Sequence, residues 1–115
     1  MSEFPTRELA PLPPPPPWGR LTDEGKLATI IRFVTAEGTF SWPCHGLIRW
    51  EWKSGESQSM IVHASGAVIT VTGRRLDVLR DALDAGRLER VQVMSERVTG
   101  AETEPQVRGI TIAPR

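Results

Sequence analysis

From Leu27 to Thr72 the sequence is a succession of short β-rich runs separated by turn residues, and just after Gly73 the apolar period switches from two to about 3.6. A chain with that order lays down several neighbouring strands and then covers them. Leu27, Thr29, Ile31 and Phe33 alternate with Ala28, Ile30, Arg32 and Val34, and the β-branched content favours a strand over a helix. Ala36-Glu37-Gly38 reads as a hairpin turn, with Gly38 free to take positive φ. Residues 39–42 return as a strand that Pro43 stops. Residues 46–53, 58–63 and 67–72 are three more strands, turned at 54–57 and 64–66. Five strands with tight connections predict an antiparallel meander.

The spacing of Leu76, Leu79, Ala82 and Leu83 predicts one helix over 74–85. Thr72 is placed to cap it, Gly86 is the expected C′ glycine, and Arg80 with Asp84 has the i,i+4 spacing of a surface ion pair. Residues 88–94 resume β character, a polar loop follows over 95–105, and in 106–112 Arg108, Ile110 and Ile112 alternate with Val107, Gly109 and Thr111. The expected fold class is α+β: a curled antiparallel meander of about five to seven strands, a partial barrel or roll, covered by one helix.

Seven of the ten prolines fall in residues 1–20, including the run 13–17, and proline can join neither a ladder nor a helix interior. That segment reads as an extended or disordered arm, and 21–115 as a single domain. Trp18, costly to leave in water, is the residue by which the arm would dock on the body. At 115 residues and 12.7 kDa the chain has no room for a second core.

Fourteen basic residues balance fourteen acidic ones, which argues against a nucleic-acid-binding domain of ordinary basic type and against an acidic disordered chain. The basic residues are Arg apart from Lys26 and Lys53, the mark of a GC-rich genome and of a small bacterial domain. A single cysteine, Cys44, permits no intramolecular disulfide and fits a reducing compartment. No apolar run reaches the roughly 18 residues of a membrane span, and residues 1–20 lack a signal-peptide core, so the expected location is cytoplasmic with no membrane partner.

Cys44, His45 and His63 are the nearest approach to a catalytic or metal-binding set. Neighbouring residues on an extended chain point apart, which makes His45 a poor base for Cys44. As zinc ligands the three lack the paired spacing of known sites. The expectation is therefore no catalytic residue, no metal and no cofactor. Glu37 and Glu56 fall at turns, whereas Glu51 sits between two tryptophans. Arg74 and Arg75 stand at the expected helix start, where cations oppose the macrodipole; an anion held there would remove the conflict, and solvation of both side chains is the simpler reading.

Alternation in 47–52 places Ile48, Trp50 and Trp52 on one face and Leu47, Arg49 and Glu51 on the other. Two indoles would fill much of a small sheet–helix core; exposed, they would form a stacking platform for bases or for a proline-rich peptide. The candidate interaction surface comprises Trp18, Trp42, Trp50, Trp52, Arg49, Arg74 and Arg75. One helix about 10 Å wide covers only part of a six- or seven-strand sheet, which predicts uncovered apolar surface and dimerisation. The functional expectation is a non-catalytic interaction or assembly module that self-associates, with a possible protein partner for the proline-rich arm. A single-stranded nucleic-acid binder using the Trp/Arg surface is the competing class, disfavoured by the zero net charge. A small enzyme or metal site around Cys44, His45 and His63 ranks third.

Overall fold

The computed structural model describes residues 16–55, 57–95 and 102–115. The arm up to residue 15 and most of the expected 95–105 loop lie outside these described residues. The chain forms an α+β fold of eight strands and one helix: β1 (Gly19–Leu21), β2 (Ile30–Thr35), β3 (Gly38–Pro43), β4 (Leu47–Lys53), β5 (Gln58–Ala64), β6 (Ala67–Arg74), α1 (Asp77–Asp84), β7 (Leu88–Gln92) and β8 (Gln106–Pro114). The strands make two four-stranded sheets, the first in the order β1-β7-β2-β3 and the second in the order β4-β5-β6-β8. No helix among the described residues is long and apolar enough to cross a membrane.

Period-two alternation sets the inner faces. Ile31 and Phe33 in the first sheet, and Met60, Val62, Ile69 and Val71 in the second, are fully buried. Each removes an apolar side chain from water, which contributes about 1.5–3 kcal/mol for a residue of this size. Leu76 and Leu79 close the same core from the helix.

Four features depart from the sequence reading. The meander breaks at Pro43, where a single 3₁₀ turn over Cys44–Gly46 leads the chain from the first sheet into the second. Backbone bonds from Cys44 N to Thr29 O (2.9 Å) and from Ser65 N to Gly46 O (2.9 Å) fix that corner. β2 pairs with β7 in parallel, so the pairing is not wholly antiparallel. An unexpected strand, β1, pairs with the other side of β7, and Trp18 beside it is only 5% exposed; the folded body thus begins before residue 21.

The fourth departure is the helix start. β6 runs on to Arg74, Arg75 takes φ 57°, and the helix opens at Asp77 after Leu76, with no side-chain cap; Thr72 lies in β6 instead. The Leu76 amide donates to Gln58 Oε1 at 2.9 Å. At the other end Gly86 fills the expected role at φ 71°, with Gly86 N donating to Leu83 O (3.0 Å) and Arg87 N to Ala82 O (2.9 Å), a Schellman pair. Past β7 the two sheets meet: Val93 N donates to Val34 O (3.1 Å) and Met94 N to Val107 O (2.9 Å).

Candidate interaction surfaces

β4 carries the two central tryptophans on its inner face, with Trp50 opposite Val62 and Trp52 opposite Met60. Both are half-buried and packed against the core. Helix α1 lies over them: Trp50 Nε1 donates to Asp84 Oδ1 at 2.8 Å, Trp52 Nε1 donates to Gln58 Oε1 at 3.1 Å, and the Arg80 guanidinium sits 4.8 Å from the Trp52 ring centroid. Arg80 itself pairs with Asp81 (2.9 Å), not with Asp84, whose carboxylate accepts from the Trp50 indole. Trp42 makes an edge-to-face contact with Phe33 at 5.9 Å. All four tryptophans therefore belong to the core or its margin, and Trp52 has a ring face taken by Arg80.

A bulge between Leu47 and Arg49 changes the start of β4. Leu47 turns inward to the core and Ile48, expected beside Trp50 and Trp52, is 63% exposed. Arg49 projects from the outer face and pairs with Glu51 at 3.5 Å. His63, opposite Arg49, lies 3.1 Å from the same carboxylate through Nε2. Arg115 Nη2 donates to His63 Nδ1 at 3.3 Å; since guanidinium can only donate, Nδ1 accepts and Nε2 carries the proton shared with Glu51.

Arg74 and Arg75 stand at the opposite end of the second sheet, beside Gln58. They line an open groove of about 690 Å³ with Gln58, Glu102 and Gln106, and Arg74 also borders an adjoining one with Thr72 and Arg108. From His63, the partner of Arg49, to Gln58 is five residues of strand, about 17 Å. The structure thus does not gather Arg49, Arg74 and Arg75 into one patch.

The three residues considered for chemistry also stay apart. Cys44 packs against the core, His63 is on the outer face of the second sheet, and His45 is exposed in the 3₁₀ turn. Burial, with a smaller contribution from the Glu89 carboxylate, pushes the Cys44 thiol above its ordinary value, which keeps it protonated and weakly nucleophilic at neutral pH. Among the described residues no three His, Cys, Asp or Glu side chains are grouped so as to hold a metal ion.

One feature was not anticipated. The register aligns Arg20 of β1 with Arg90 of β7, and Arg90 with Arg32 of β2. Gly19, Val91 and Phe33, one position on, are buried, so the three arginines face outward in a single row. Alternation already assigned Arg32 to the face opposite Phe33; the partner strands were the missing information. The strand expected over 106–112 is β8, which runs nine residues at the edge of its sheet. Comparison with family models, curated proteins and solved structures finds no match to this chain.

Proposed function

We propose that the protein is a non-catalytic interaction module that associates by strand addition along β8, first of all with a second copy of itself. The observation that carries this reading is that, among the described residues, no strand pairs with the outer edge of β8. β8 pairs with β6 along its length, whereas on its other side the backbone bond among the described residues is Met94 N to Val107 O. Its inner-face residues Ile110 and Ile112 are only half-buried although they pack on the core. A long edge with unpaired amide and carbonyl groups is a template for another strand.

Antiparallel pairing of β8 with its two-fold mate would satisfy these groups, extend the second sheet across both copies and bury more of Ile110 and Ile112. Zero net charge offers little repulsion to oppose it. Sedimentation or light scattering at micromolar concentration should give twice the 12.7 kDa chain mass. Thr111 is exposed on β8, so Thr111→Lys should leave the fold intact while placing like charges across the new seam and shifting the mass to that of the monomer. A wild-type mass of 12.7 kDa rejects self-association through this edge.

A further inference from the structure

We propose that Arg20, Arg90 and Arg32 form a binding surface for a ligand carrying two or more linked phosphate groups. The argument is independent of the β8 edge, because these residues lie on the other sheet. Strands are about 4.8 Å apart, so the three side chains rise from a line about 10 Å long. Like charges directly opposite one another on a sheet are destabilising, so the row weakens the fold in the absence of a counter-charge.

Among the described residues the counter-charge is incomplete. Glu89 reaches Arg20 at 3.4 Å. Among the described residues no carboxylate lies within ion-pair distance of Arg32 or Arg90, and the Arg90 Nε is buried without an acceptor. Arg32 and Arg90 are thus register neighbours without an ion-pair partner among the described residues. Ser41, opposite Arg32 on β3, adds a hydroxyl to the same row.

The shape narrows the ligand. A guanidinium fork matches two oxygens of one phosphate, and linked phosphates concentrate several charges within the span of the row. The next outward pair, Val34 and Gln92, borders a shallow groove of about 270 Å³ formed by residues 34–36 and 92–95, room for a small organic group attached to the phosphates. Among the described residues Ile30, Val34, Thr39, Ser41, Pro43 and Gln92 hold the other positions of this face in β2, β3 and β7, and none is an aromatic ring on which bases could stack.

The test is calorimetric titration of the full chain with sodium tripolyphosphate at low salt. Wild type should bind, with affinity falling as salt is added, and R32Q and R90Q should each bind about tenfold more weakly. R49A, which removes an arginine from the outer face of the other sheet, should bind as wild type does. Without ligand, R32Q should melt no lower than wild type, because it removes a like charge from the row. Should R90Q fail to fold, R32K decides the matter: it keeps the charge, loses the fork and should still weaken binding. The proposal is overturned if millimolar tripolyphosphate gives no binding, if R32Q, R90Q and R32K bind unchanged, if R49A loses as much as R32Q, or if a single-stranded oligonucleotide occupies the row and tripolyphosphate cannot displace it.

Discussion

Trp50 and Asp84, 34 positions apart, are joined by a 2.8 Å hydrogen bond from the indole Nε1 to a carboxylate oxygen, and this bond ties the last turn of the helix to the edge strand of the second sheet. Replacing Asp84 by Ala should cost about 1 kcal/mol, the ordinary scale for one hydrogen bond at an exposed site. Trp50→Ala removes the packing as well and should cost about 3 kcal/mol, the lower end of the range for a large aromatic because the ring is half-buried. Denaturant midpoints for the two single variants and the double variant check both figures. A D84A cost that persists in the W50A background would mean that the bond is not the reason Asp84 stabilises the helix.

The described fold opens with the buried Trp18, just before β1. Removal of residues 1–15 should leave a cooperative melt, since the described strands, the helix and the buried core all begin beyond that point. Trp18 is part of that core, so W18A should lower stability by about 3–5 kcal/mol even with the whole arm present. Thermal melts followed by far-ultraviolet circular dichroism distinguish the two variants; equal effects would assign the arm to the folded body.

Cys44 makes a pH prediction. Burial, and then the Glu89 carboxylate, raise its thiol above 9.0 in the folded chain, whereas the unfolded chain ionises near that value. At alkaline pH the unfolded state therefore holds fewer protons than the folded one, and stability falls as pH rises through and beyond 9.0. Below that value the contribution is fully present. Cys44→Ser should abolish this alkaline component in melts recorded across the range, and wild-type Cys44 should react slowly with iodoacetamide at neutral pH. Rapid alkylation of the folded protein would contradict the burial argument.

The sequence by itself determined the features that depend on residues close along the chain. Alternation put Ile31 and Phe33 together on one face of their strand, and both are buried, because a strand's pleat is a local property. The helix stop at Gly86 was legible for the same reason: a left-handed residue after the last turn is a local requirement that glycine meets without steric cost. Alternation put Trp50 and Trp52 on the face opposite Arg49 and Glu51 and left core and exposed platform both open; their packing against the core is a property of the tertiary structure.

Only the tertiary structure decided which strands lie side by side. β2 meets β7 after the chain has laid down β3, β4, β5, β6 and the helix between them, and no local pattern encodes so distant a partner. That pairing turned Arg32 and Arg90, each unremarkable within its own strand, into adjacent like charges. The bulge that exchanges Leu47 for Ile48 likewise depends on how β4 fits β5, and the claim of Asp84 on Trp50 rather than on Arg80 depends on where the helix lands. Side-chain periodicity is set by the backbone of one segment, whereas register and strand order are set by the burial that several segments achieve together.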